Sequence, residues 1–134
     1  MKNLLMCALV LLALPAIAKT KVTDIRLTQT ATYTQFTLNL DSPTDHELLT
    51  LNNPDRVVID VTNAELDVDL STVDKGGSPV RSIRSGVRDS DNLRIVFDLT
   101  SLANAHSFFL KKIENGKMRY HLVVLAYSLD PRVR

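Results

Sequence analysis

Arg56-Val-Val-Ile-Asp-Val-Thr62 and Arg94-Ile-Val-Phe-Asp-Leu-Thr100 are two writings of one pattern. Side chains alternate between the faces of a β-strand. Val57, Ile59 and Val61 therefore share one face, as do Ile95, Phe97 and Leu99. The opposite faces carry Arg56, Val58 and Asp60, and Arg94, Val96 and Asp98. Each stretch predicts a half-buried strand with an apolar inner row and an outer row of Arg, Val and Asp. Two strands with matching outer faces point to a duplicated sheet and a repeated surface rather than to one catalytic centre.

Alternation and turn residues extend the pattern outward. Strands are predicted at Val22–Leu27, at Tyr33–Leu40 with Phe36, Leu38 and Leu40 inward, and at His46–Leu51. Asp41-Ser42-Pro43-Thr44-Asp45 and Asn52-Asn53-Pro54-Asp55 are turns. The acidic stretch Glu65–Leu70 reads as an edge strand or an extended connection, and Lys75-Gly76-Gly77-Ser78-Pro79 as a loop. The order then restarts. Val80-Arg81-Ser82-Ile83-Arg84 matches Val22-Thr23-Asp24-Ile25-Arg26. Leu93–Leu99 stands for Phe36–Leu40, His106–Leu110 for His46–Leu51, and Met118–Leu125 for Arg56–Val61. Asn115-Gly116 is a two-residue hairpin signal, and Leu102–Ala105 reads as one helical turn. Two duplicated halves of four strands each predict an all-β sandwich of two similar four-stranded sheets packed face to face. The Arg56 and Arg94 strands are not equivalent in this scheme and are expected at similar places in facing sheets.

The first 18 residues read as an export signal: Lys2, an apolar run from Leu4 to Leu14, Pro15, and a small-x-small site at Ala16-Ile17-Ala18 with cleavage after Ala18. The run is shorter than the ~20 residues a membrane span needs. Cleavage would leave 134 − 18 = 116 residues, one domain's worth. It would also leave 16 − 1 = 15 basic against 15 acidic residues. That balance gives no long-range attraction for nucleic acid or anionic lipid. The single cysteine, Cys7, lies in the signal, so the domain at 19–127 is expected to be held by its core alone. Residues 128–134 read as a tail or the start of a linker.

Catalytic signatures are missing from the sequence. His46, His106 and His121 lack a partner at metal-ligand spacing, and there is no Gly-x-Ser-x-Gly or phosphate-cradling glycine loop. No cofactor and no metal is expected. His46 and His106 fall at matching strand starts, which suggests a structural role. Asp60 and Asp98 read as outward strand residues beside arginines rather than as a glycosidase pair. The candidates left are surface groups. Arg56 and Arg94 lie on outward faces and Arg84 stands just before Gly86. Guanidinium groups hold carboxylates bidentately, so they would suit a peptide rich in free carboxylates. With no Trp, and with Phe residues that mostly read as core, an aromatic sugar platform is not expected.

The run Leu51-Asn-Asn-Pro-Asp-Arg-Val-Val-Ile-Asp60, the segment Val80-Arg-Ser-Ile-Arg-Ser-Gly86 and the strand Leu93-Arg-Ile-Val-Phe-Asp-Leu99 resemble the AMIN domain. This domain occurs at the N-terminus of periplasmic N-acetylmuramoyl-L-alanine amidases and in some secretins. The resemblance covers nearly all of residues 21–127, and its most specific parts are the Asn-Pro-x-Arg turn and the Ile-Arg-x-Gly segment. It departs at Val87-Arg88, where many relatives carry Gln. It implies a periplasmic, non-catalytic domain that binds peptidoglycan and directs an amidase to the division septum. The alternative it leaves open is a protein-interaction module of a secretin-like envelope assembly, with divisome or other envelope proteins as partners. Peptidoglycan-binding candidates are Arg56, Arg84, Gly86 and Arg94, of which Arg94 lies outside the most specific parts. The chain holds no zinc ligand set of an amidase. It is expected to be a free-standing targeting module or the first piece of a longer amidase.

Overall fold

A computed structural model of the protein describes residues 18–129. The expected export signal and cleavage site fall almost wholly outside these residues, as do residues 130–134. Nine strands follow in order: β1 (Thr20–Gln29), β2 (Tyr33–Leu40), β3 (His46–Leu51), β4 (Arg56–Val61), β5 (Ala64–Leu66), β6 (Val80–Arg88), β7 (Asn92–Leu99), β8 (Ala103–Glu114) and β9 (Lys117–Ser128). They form a sandwich of a five-stranded sheet, β5-β1-β2-β9-β8, and a four-stranded sheet, β3-β4-β7-β6. The all-β sandwich is as the alternation predicts. The fifth strand is the short edge strand β5, which pairs parallel with β1. It takes in only Glu65 and Leu66 of the acidic stretch Glu65–Leu70, and the exposed Glu65 suits an edge.

The two halves interleave. Each sheet takes one hairpin from each half: β1-β2 joins β9-β8, and β7-β6 joins β3-β4. The joins are β2 on β9 and β4 on β7, the second strand of one half against the fourth of the other. Corresponding strands β1 and β6 even carry the same irregularity, a register shift between Val22 and Asp24 and another between Val80 and Ser82. A bulge shared at an offset of 58 (80 − 22) is a backbone signature of duplication.

The two echoing strands β4 and β7 are therefore hydrogen-bonded neighbours in one sheet, not counterparts in facing sheets. Because they run antiparallel, Arg56 lies opposite Asp98 and Asp60 opposite Arg94. The repeated Arg-x-x-x-Asp spacing thus writes two cross-strand Arg–Asp pairings.

The inner faces meet as expected. Val57, Ile59, Val61, Ile95, Phe97 and Leu99 are buried with Phe36, Leu38 and Leu40. Phe36 of one sheet meets Phe97 of the other, ring centroids 4.4 Å apart. Two local expectations change. Leu102–Ala105 is not a helical turn: Ala103 pairs with Ser128 and opens β8, because its small side chain fits the buried inner row. Among the described residues the one helical turn is a 3-10 turn at Leu70–Thr72, whose N-cap Asp69 accepts from the Ser71 N–H. His46 and His106 are also not equivalent. His46 pairs with Val61 and points inward, where its Nε2 lies 2.9 Å from Ser107 Oγ. Burial pulls its imidazole below the usual value, with Asp45 opposing. His106 pairs with Leu125, and since residues of odd and even parity face opposite ways it points outward.

Candidate functional site

The four-stranded sheet presents its outer face in rows set by register. The first row is Leu51, Arg56, Asp98 and Ser82; the second Leu49, Val58, Val96 and Arg84; the third Glu47, Asp60, Arg94 and Gly86. Arg88, opposite Asn92, lies beyond the third. All four sequence candidates, Arg56, Arg84, Gly86 and Arg94, therefore stand on one face. They come from three strands brought together by two antiparallel pairings.

The arginines differ in what they already hold. Arg94 forks onto Asp60, with Nε and Nη2 each donating at 2.8 Å, and Arg88 adds a third contact at 3.2 Å. Asp60 is only 7% exposed, and a buried carboxylate needs such partners. Arg84 forks onto Asp98 at 2.8 and 3.1 Å, while the Ser82 hydroxyl donates to Asp98 at 2.6 Å. The Arg84 contact, helped by Ser82, holds the Asp98 carboxyl below its ordinary range, and Asp98 in turn raises the Arg84 guanidinium. Arg56 is the looser group. Its Nε donates to the Pro54 carbonyl at 3.0 Å, and its terminal nitrogens make no hydrogen bond to another described residue.

Between these charged rows sit Val58 and Val96, 2% and 9% exposed. The outer row is thus less open than alternation implies, because β4 and β7 are central strands flanked on both sides. Gly86 leaves a gap beside Arg94. Its backbone is not in the left-handed region, and a Cβ there would meet nothing within 4 Å. Arg56, Arg84, Arg88 and Arg94 against Glu47, Asp60 and Asp98 leave the face at 4 − 3 = +1. Chemically the face offers guanidinium donors, most of them already paired with carboxylates. Asp98 is kept ionised and accepting, the opposite of the raised carboxyl that general-acid catalysis requires. Among the described residues no group of three or more His, Cys, Asp or Glu side chains could hold a metal ion.

Sequence reasoning missed the opposite face. On the outside of the five-stranded sheet Tyr33 lies opposite Tyr127, and His106, Phe108 and Leu110 project from β8. The tyrosine rings are 5.5 Å apart, and His106 meets Tyr127 edge-on at 6.3 Å. Phe108 and Leu110 are 42% and 48% exposed. The run Phe108-Phe109-Leu110 lacks alternation, so only the pairing with β9 tells which Phe faces out. On the same face Asn39 Oδ1 and His121 Nε2 are buried without hydrogen-bond partners. The two residues pair across β2 and β9, where the other sheet pairs Asp98 with Arg56. The two outer faces differ, and the charged ladder stands on one of them.

The profile of the AMIN domain matches residues 24–119. Over 123 residues the chain is 30% identical to the N-acetylmuramoyl-L-alanine amidase AmiC of Neisseria meningitidis serogroup B, a match covering 86% of this chain and 30% of that protein. Over 110 residues it is 28% identical to the amidase of the same name from Escherichia coli O6:H1, covering 76% of this chain and 25% of the relative. The chain thus spans less than a third of the length of these relatives.

Proposed function

The chain belongs to the AMIN domain family, and from that premise we propose that it is a periplasmic, non-catalytic module that binds peptidoglycan and carries an amidase activity to the division septum. The observation that carries this reading is the match along 86% of the chain to a protein named for N-acetylmuramoyl-L-alanine, a peptidoglycan linkage. The outer face of the four-stranded sheet supports a binding role. It offers an arginine whose terminal nitrogens make no hydrogen bond to a described residue, at Arg56, and an open position at Gly86. Free stem-peptide carboxylates match Arg56 directly. At Arg84 and Arg94 they would have to compete with Asp98 and Asp60.

Retention of the purified protein on isolated sacculi tests the reading, against a control of similar size and charge. The wild type should be retained. Arg56→Ala should weaken retention more than it lowers the melting temperature, since its side chain makes one hydrogen bond, to a backbone carbonyl. Arg84→Ala should weaken retention and also lower the melting temperature, because it breaks the fork onto Asp98. Retention no better than the control defeats the wall reading. If Arg56→Ala unfolds the domain, that arginine serves the turn before β4 and not the ligand. A fluorescent fusion in dividing cells should gather at the septum, and an even envelope signal would remove that part. The exposed edge strand β8, with Phe108 and Leu110, is the feature that would serve the rival role in an envelope assembly. Retention on envelope complexes but not on bare sacculi would favour it.

A further inference from the structure

One end of the sandwich opens into a cleft of about 810 Å³, within the range of small-ligand sites. It lies between the β1–β2 turn, the loop before β6, the β7–β8 connection and the end of β9. Its chemistry differs from that of the arginine face. None of its lining residues is charged, in a chain with 31 charged residues (16 + 15). The floor is apolar, made by Phe36, Leu99, Ala103 and Ala126, all buried. The rim is hydroxyl-rich. Among the described residues no hydrogen bond engages the side-chain hydroxyls of Thr32, Tyr33, Ser101 or Tyr127. Tyr33 and Tyr127, whose paired rings stand at this end of the outer side of the five-stranded sheet, are among the residues at the mouth.

We propose that this cleft binds the neutral glycan strand of the wall, its N-acetylated sugars, rather than the peptide stems. This deepens the peptidoglycan reading and rests on it. An acetamido sugar offers hydroxyl and amide groups to the free rim hydroxyls. Its apolar C–H face suits the tyrosine rings, and its acetyl methyl suits the apolar floor. A stem carboxylate would enter a site with no cation to meet it, a costly burial. The geometry also divides the labour. Asp98, opposite Arg56 in the first row, directly precedes Leu99 of the cleft floor. The arginine with unengaged nitrogens thus stands at the cleft end of its face, placed for a stem leaving a seated glycan.

The test compares three probes on the purified protein: intact sacculi, glycan strands stripped of their stems with the lactyl carboxylates so freed capped as amides to keep the strand neutral, and free stem peptide. A soluble N-acetylglucosamine oligomer serves for titration. Stripped glycan and the oligomer should bind. Tyr127→Ala should weaken both by about fivefold or more, the scale of one lost aromatic contact. Ala31→Glu, at an exposed rim position with no side-chain hydrogen bond to lose, should do the same at an unchanged melting temperature, so the test survives if Tyr127→Ala fails to fold. Retention on intact sacculi and stem peptide, with none on stripped glycan, overturns the cleft assignment and leaves the wall reading standing. So does glycan binding that neither variant weakens. Retention on no probe removes both.

Discussion

Arg94 and Arg56 begin the same sequence pattern, yet their losses should differ. Arg94 neutralises a carboxylate that the sheet has buried, through two bonds at 2.8 Å. Arg94→Ala leaves Asp60 with Arg88 alone, at 3.2 Å. Stranding a buried charged group costs about 1–3 kcal/mol. Arg56→Ala breaks one hydrogen bond, to a backbone carbonyl, and leaves Asp98 with its Arg84 fork and the Ser82 hydroxyl. Urea denaturation should show Arg94→Ala destabilised by about that 1–3 kcal/mol, and Arg56→Ala within about 0.5 kcal/mol of wild type. Equal effects would mean that Asp60 does not depend on its fork. Phe97 sets the upper end of the scale. It is fully buried and meets Phe36 across the sandwich, so Phe97→Ala should lose roughly 3–5 kcal/mol. An unchanged melting temperature would reverse the strand faces. The outward direction of these arginines was legible from alternation alone. Their pairing was not, because it depends on which strands lie side by side, and β4 and β7 are separated in sequence by β5, β6 and a long loop.

At the scale of elements, legibility followed the degree of alternation. β2, β4 and β7 sit in the middle of their sheets, and strict inner rows marked them. β8 is an edge strand whose exposed stretch need not alternate, and the small residues at its start, Ala103 and Ala105, carry too weak a pattern to tell a strand from a helical turn. The hairpin joining β8 to β9 was the clearest turn signal, and both its residues are in the left-handed region, Asn115 at φ 50° and Gly116 at φ 74°. A Cβ at Gly116 would touch nothing within 4 Å, so its value is purely conformational. Gly116→Ala should therefore cost about 1–2 kcal/mol, the strain of a left-handed L-residue. Gly86→Ala should cost less than 0.5 kcal/mol or stabilise, because its strand backbone is ordinary and the space is open. Thermal melts of the two variants check the contrast. If Gly86→Ala proves the more damaging, Gly86 answers a backbone demand rather than leaving room beside Arg94.

For the whole molecule, duplication was visible in the order of the strands but interleaving was not. Sequence correspondences say that two halves are alike; they do not say whether each half makes its own sheet. The structure places one hairpin from each half in each sheet, so every inter-half join, β2 on β9 and β4 on β7, lies at the centre of a sheet. A half alone would hold two hairpins with no central partner, and isolated hairpins are marginal in water. Phe36 and Phe97, which close the core together, also come from different halves. Neither half should therefore fold as a monomer. Cutting the chain between Gly76 and Gly77, in the loop before β6 where both glycines have positive φ, separates the halves without breaking a strand. Each fragment alone at low concentration should give the circular dichroism of an unfolded chain. Mixing them should restore strand signal and a cooperative melt, at a rate that rises with concentration because the joins are now intermolecular. A half that also folds by pairing with a second copy of itself would obey the same rule, since the joins match one kind of strand to another. A half that folds as a monomer at any concentration would contradict the interleaved sheet order.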